Sequence, residues 1–527
     1  MRLDIPSFVN RRSSPFAPRC ARCREHEAEL VQLRAKNAEL ERGQAELTHL
    51  RAELKELQTN KAELERRLGL NSTNSSKPPA SDGLVKPEPR TTSQRTHREK
   101  KPSGGQEGHE GFTLRQVKDP DKIVDHFPLR CDGCGAALSP SSAGYAARQV
   151  FDLPKPAPLE VTEYRAHGCR CGCGVVTKAK FPPGVGAPAQ YGTRVGGWAI
   201  YLWGQHLVPE DRVAQAMYDL FGVPVSAATV AEIVRRKAED LAGFGDAVLA
   251  EVRAALAKNM DETGLRICKK LSWLHVACTP TATHFRVSTR GDMLSGVSGV
   301  IVHDYFKSYY RIEGVEHALC GQHILRELQA LIDIEKEAWA TPMQALLRRA
   351  CHDVNLIRRK LEPAASDGGE AARLVSEQRK ADLLRRLARI ADLIERRYDA
   401  VVAEAIAYHE AQPPLREPAL RKDGTPSTRP VAKRIGHNLA VRLRDRKNEV
   451  LRFTRDLFVP FTNNGGEQEL RVMKSKMKIS GCFRSMEGAK RFATIRTLIA
   501  TARKRGWDIV ECLMLNSAEL IGRLSSA

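Results

Sequence analysis

The stretch Phe461 to Arg496, FTNNGGEQELRVMKSKMKISGCFRSMEGAKRFATIR, opens on an acid, Glu467, and runs on into cations. From Arg471 to Arg505, eleven Lys or Arg stand against a single acid, Glu487. This balance suits a polyphosphate backbone, because each cation that neutralises a phosphate releases a condensed counterion. A helix begun near Gly466 would carry Glu467, Arg471 and Lys474 on one face at i, i+4 and i+7, a carboxylate beside cations that hold DNA. Lys476, Lys478 and Arg484 extend the expected DNA contact. A solvated basic helix in which Glu467 and Arg471 form an ordinary i,i+4 pair satisfies the same pattern, so the rest of the chain must decide.

At 527 residues and 42% hydrophobic content the chain can bury several cores, roughly three or four units of about 150 residues. A net charge of +21 favours a polyanionic partner, nucleic acid before a membrane surface. No apolar run approaches the roughly 18 residues of a membrane span, and Met1 to Pro18 lacks an apolar signal core, so a cytoplasmic protein is expected. Thirteen cysteines without a secretion signal point to metal ligation or plain burial rather than disulfides. Cys268, Cys278, Cys351, Cys482 and Cys512 are scattered and read as small buried side chains.

Taken in order, residues 1–24 form a tail whose Cys20 and Cys23 make half a metal site at most. Residues 25–70 carry Leu33, Leu40, Leu47, Leu54 and Leu68 in one heptad series and Leu50, Leu57 and Leu64 in another, a coiled-coil seam interrupted at Lys36, Gly43 and Lys61. A long solvated single helix is the alternative. Residues 71–112 are Ser-, Pro- and Gly-rich, a flexible linker. Residues 113–185 hold CDGCG and HGCRCGCG, from which Cys131, Cys134 and Cys173, with Cys171 or Cys169, would give structural Zn²⁺ its four ligands in a zinc ribbon. Residues 190–250 resemble a helix-turn-helix, with a turn at Gly222-Val223-Pro224 and an N-cap at Ser226; Arg235 and Arg236 would reach phosphates from the second helix.

From Ala257 the pattern turns to strands. Three short β-rich stretches suit an antiparallel meander, a short helix follows near Asp292, and GVIVHDYF reads as a buried strand ending at Asp304. HALC is a further short strand leading into a helix near Gln322. This order describes a ribonuclease-H-like sheet in residues 255–335, with Asp261 and Asp304 on neighbouring strands. Such carboxylates suit two Mg²⁺ ions, or Mn²⁺ in their place. Glu467 is the natural third acid, with Glu469 as the alternative. The 163 residues from Asp304 to Glu467 are too many for the sheet to close directly, so residues 336–455 are expected to form an all-α insertion. The core then resumes over residues 456–510, before a tail at 511–527. The fold class is multidomain α+β, an α/β catalytic domain preceded by coiled coil, zinc ribbon and helical region.

LGLNSTNSSKPPASDG, MDETG, VIVHDYFKSYY, HALCGQHILREL and the block from PFTNNGGEQELR to ATARKRG together resemble the transposases of the insertion-sequence-66 family, from about Leu30 to Gly506. The resemblance implies a DDE triad of Asp261, Asp304 and Glu467, with Lys474 holding DNA. It implies metal-dependent strand cleavage and strand transfer at element ends, DNA and target DNA as partners, a homo-oligomer joined by the coiled coil, accessory proteins of the same element and a bacterial, nucleoid-associated location. Cys320 and His323 match a family motif after the second Asp; two ligands are too few for zinc, and a core pair near the active site is expected. A non-catalytic zinc-ribbon DNA-binding regulator and a structure-specific nuclease on the same sheet are the competing functions.

Overall fold

The computed structural model describes residues 21–71, 74–75, 115–140, 144–152, 159–292, 295–361, 370–415 and 433–526. Cys20 and almost all of the expected linker lie outside the described residues. The chain divides into two compact units, Met1–Pro89 with Ile332–Lys336, and Arg90–Leu331 with Glu337–Ala527.

The first unit is dominated by one 49-residue helix, Ala21–Gly69. Ala, Leu, Glu, Lys and Arg sustain it, since straight-chain residues lose little rotamer freedom in a helix. Both leucine series lie along it with every member more than half exposed, Leu33 at 57% and Leu68 at 86% among them.

In the second unit, residues 115–192 contribute little buried apolar surface. Their regular structure is an isolated bridge, Arg130 to Ala137, and the antiparallel hairpin β1 (Gly168–Arg170) and β2 (Val176–Lys178). Four helices follow, Thr193–Gly204, Glu210–Phe221, Ala227–Asp240 and Ala242–Ala254. Gly222 ends the second in the left-handed conformation, and Ser226 caps the third by accepting from the Thr229 amide at 3.0 Å.

A five-stranded sheet comes next: β3 (Ala257–Ile267), β4 (Lys270–Cys278), β5 (Thr283–Ser288), β6 (Val300–His303) and β7 (Glu316–Leu319). Its order is β5-β4-β3-β6-β7. The first three strands form an antiparallel meander, whereas β6 runs parallel to β3 and β7 parallel to β6. The chain is thus a mixed α/β protein. β6 is buried throughout, as expected of a β-branched run covered on both faces. The β3–β4 turn is unusual: Cys268 and Lys269 both have positive φ, 47° and 67°, where glycine or asparagine would ordinarily sit.

Among the described residues no helix forms near Asp292, contrary to the sequence expectation. Its carboxylate is taken by Arg286 at 2.8 Å and by the Ser288 hydroxyl, and its amide donates to Thr289, which closes a turn. A 3₁₀ helix at Lys307–Arg311 follows β6 instead.

Between β7 and Thr462 the described residues contain helices and no strand: Gly321–Ala330, Ala340–Leu361, Glu370–Glu410, Ile435–Asp445 and Lys447–Arg455. Buried anchors fasten them. The Tyr398 hydroxyl donates to Leu443 O at 2.8 Å, and the Trp339 indole donates to the buried Glu337 carboxylate at 2.6 Å. Helix Asn464–Ile479 then packs on β3 and β4, and helix Met486–Lys504 packs on β5.

The last residues are no tail. Ile509–Met514 and Ser517–Ser526 are helices that bury Cys512, Leu513 and Leu520 in the same core as Ile200, Phe244 and Phe492. Cys278, Cys351 and Cys512 are buried, but Cys268 and Cys482 are exposed, because one sits in the hairpin turn and the other in the loop after helix Asn464–Ile479.

The start of β6 depends on Gly299, whose φ is +72° and whose added Cβ would lie 2.5 Å from Leu256 O. Gly299→Ala is expected to cost at least about 2 kcal/mol of stability, read from urea unfolding midpoints.

Candidate active site

Asp261 sits in the middle of β3, and Asp304 follows the last residue of β6, the parallel neighbour of β3. Glu467 lies in the first turn of helix Asn464–Ile479. The helix start is tied to β3 by an amide pair, buried Asn463 and half-buried Asn259. Asn463 Nδ2 donates to Met260 O at 2.8 Å, and Asn259 Nδ2 donates to Asn463 Oδ1 at 2.9 Å and to Thr462 O at 3.2 Å. Asparagine at a helix start ordinarily caps its own helix; here its side chain makes no cap bond and crosses to the strand. Gly466 permits the approach, since a Cβ there would stand 3.1 Å from the Asp261 Cβ.

Burial pushes the Asp261 carboxyl up to about 7. The Glu262 amide, donating to Oδ1 at 2.8 Å, pulls the other way, while the negative charges of Asp304, Glu467 and Glu262 add to the rise. Asp304 Oδ1 accepts from the Phe306 amide at 3.0 Å, which turns the chain out of β6. Glu467 Oε1 is buried without a hydrogen-bond donor, and His323 Nδ1 lies 3.6 Å from it. No ion pair joins Glu467 to Arg471 among the described residues. Glu469 faces elsewhere, toward the Thr283 hydroxyl at 3.4 Å and Lys504 Nζ at 3.6 Å.

Cys320, His323 and Glu467 bring their ligand atoms within 4.8 Å of one another. Burial pushes the Cys320 thiol up to about 11, and its sulfur accepts from the Asn463 amide at 3.1 Å. A neutral thiol bonded this way is a packing and positioning group. Behind Asp304, buried His303 stacks on Tyr309 with ring centroids 4.5 Å apart, and its Nε2 lies 3.0 Å from His317 Nδ1.

The expected DNA-contact residues divide. Arg471, Lys474 and Lys478 are exposed on the Glu467 side of the helix, and Arg484 is exposed just beyond it. Lys476 is withdrawn: its ammonium lies 4.7 Å from the Phe483 ring centroid and donates to the Ser480 hydroxyl, leaving it no reach to a phosphate. Arg235 is clamped between Glu232 and Glu239 at 2.7 and 2.6 Å, and Arg236 pairs with Glu232 at 2.6 Å. Acids on their own helix already neutralise both.

The cysteines form two similar knuckles. The amides of Cys134 and Gly133 hold the Cys131 thiol below its usual range, and those of Cys173 and Gly172 do the same for Cys171. Left-handed glycines, Gly135 and Gly174, close both turns. Cys169 lies instead on β1, opposite Thr177. The five sulfurs do not gather into a group of three or more among the described residues.

Asn463, Asn259 and Tyr309 are the structural discoveries at this site. Only the Thr-Asn-Asn-Gly-Gly run before Glu467 signals any of them, as two amides beside glycines that admit close approach.

The model of the IS66 family of transposases matches residues 189–491, more than half of the chain and all three acids. The chain belongs to the IS66 transposase family. A family of unknown function matches residues 17–115 of the transposase. No curated protein matches it. None of its described helices is long and apolar enough to cross a membrane.

The raised Asp261 pKa has a sign. Relative to the unfolded chain, its proton stabilises the metal-free fold fully below about pH 4, and this contribution is lost as pH rises through about 7. With chelator present, Asp261→Asn should therefore raise stability on the order of 2 kcal/mol at pH 8 and leave it nearly unchanged at pH 4, read by thermal unfolding at both pH values.

Proposed function

We propose that the transposase hydrolyses a phosphodiester at an element end and then directs the freed 3′-hydroxyl against target DNA, both at Asp261, Asp304 and Glu467. The observation that carries this reading is the mutual field of three half-buried acids, none of which forms an ion pair with an arginine or lysine among the described residues. A donor set of hard carboxylate oxygens, one of them buried without a hydrogen-bond donor, fits Mg²⁺ or Mn²⁺. Two such ions held by the three acids would supply activation of the attacking oxygen and stabilisation of the leaving one.

The chain's own residues do the positioning. Asn463 and Asn259 fix the helix start so that Glu467 stands over β3. His323 limits the swing of the Glu467 carboxylate, and the Phe306 amide does the same for Asp304. Arg471, Lys474, Lys478 and Arg484 hold backbone phosphates beside the acids and carry no sequence information. Arg235 and Arg236 of helix Ala227–Asp240 would have to give up exposed ion pairs with Glu232 and Glu239, which solvent screening keeps weak, to join this DNA track.

The strand order β5-β4-β3-β6-β7, with its antiparallel meander and two parallel strands, supports a ribonuclease-H-like core over residues 255–335 and 456–510, split by an all-α insertion at 336–455. Helix Ala21–Gly69 is proposed to pair with a second copy along its leucine seam, as two element ends must be brought together. For residues 113–185 we propose structural Zn²⁺ on Cys131, Cys134, Cys171 and Cys173. The lowered thiols of both knuckles and the lack of a packed core support it, and the Cys171 knuckle is favoured over Cys169.

Asp304→Asn should lower Mg²⁺-dependent strand cleavage more than about a hundredfold without loss of DNA affinity. Equal activity in both proteins, or none in either, would favour the regulator; cutting of branched DNA with no joined product would favour the nuclease.

A further inference from the structure

The β3–β4 hairpin tip carries chemistry that the three acids do not use. Cys268 and Lys269 occupy left-handed conformations that a glycine would take without strain. Neighbouring groups hold the turn in place: the Cys268 amide donates to Phe483 O at 3.0 Å, its thiol to Arg484 O at 2.8 Å, and Arg266 Nη1 to Lys269 O at 2.9 Å. A bridge between Ile267 and Phe483 fastens the tip to the loop after helix Asn464–Ile479. Strain kept in place by surrounding bonds, with a lysine where glycine fits better, points to a use for the side chain.

The tip also continues a charge track. Glu467, Arg471, Lys474 and Lys478 follow one helix face at i, i+4, i+7 and i+11. Beyond the helix end come Arg484 and, across the bridge, Lys269 and Lys270, all exposed. Among the described residues no acid pairs with any of these six cations. The two arms match in length. Five residues of strand from Asp261 to Arg266 span roughly 17 Å, and eleven residues of helix from Glu467 to Lys478 span roughly 17 Å. Strand and helix thus leave the acids together and meet again at the tip, about five base pairs away along a duplex.

We propose that Lys269 and Lys270 form a second phosphate-holding point for duplex DNA, which grips the backbone about five base pairs from the bond at the carboxylates. The register rests on the reading of Asp261, Asp304 and Glu467 as the cleavage centre; the charge track does not.

The test uses the full chain, a duplex of about three helical turns of arbitrary sequence, and fluorescence anisotropy over a salt series. Lys269→Gly with Lys270→Gln should flatten the slope of log affinity against log salt by about 1.8, two contacts at about 0.9 each. It should do so with an unchanged or higher Tm, because glycine relieves the turn; a merely structural lysine pair would not give that combination. Lys474→Ala, on the helix face, should lose about 0.9. If the tip variant keeps the wild-type slope while Lys474→Ala loses its share, the tip proposal is overturned and the helix track stands. A wild-type slope in both overturns the tip and the helix track together.

Discussion

Two side-chain amides, one buried and one half-buried, hold the candidate site together. Asn259 and Asn463 are far apart in sequence, yet their side chains lock strand β3 to the start of the helix that carries Glu467. Each buried amide left without a partner would cost about 1–3 kcal/mol, so the tie is strong and also directional. Its direction matters more than its strength: it sets the first turn of the helix over Asp261, where a Cβ at Gly466 would already press the Asp261 side chain at 3.1 Å.

That tie brings acids together against their own repulsion. Burial and like charge raise the Asp261 carboxyl to about 7; amide donors meet Asp261 and Asp304, His323 stands beside Glu467, and Arg290 pairs with the neighbouring Glu262 at 3.5 Å. The cations are kept on the helix flank instead. Lys476, the one cation of the helix that does turn inward, faces the Phe483 and Phe492 rings rather than the acids. A strongly basic helix can therefore sit beside an electron-rich pocket without neutralising it.

Much of the sheet was legible in the sequence because its signals are local. Continuous β-branched burial marks β6, and short β-rich runs separated by polar turns mark β3 to β5. The helix at Asp292 was misread because its polar run also fits a turn, and only the pairing of Asp292 with Ser288 and Arg286 chose between them. Which cations face water was not legible either. Lys476 and Lys478 are two residues apart in similar surroundings, and only the rings contributed by a later loop and helix separate them. Arg235 and Arg236 show the same limit, since the acids that occupy them were visible at i−3, i−4 and i+4 but their geometry was not. Cys320 and His323 were readable as a pair near the site; their meeting with Glu467 spans more than 140 residues and needed coordinates.

Helices Ile509–Met514 and Ser517–Ser526 close the core over helices from near the middle of the sequence. Ser517 Oγ accepts from the Phe244 amide at 2.8 Å, and Arg505 grips Glu251 at 2.7 Å, so residues beyond 500 seal a helix about 260 positions earlier in the sequence. Removing the two closing helices would uncover the apolar side of Phe244 and Val248, an opening of the kind that invites aggregation and proteolysis.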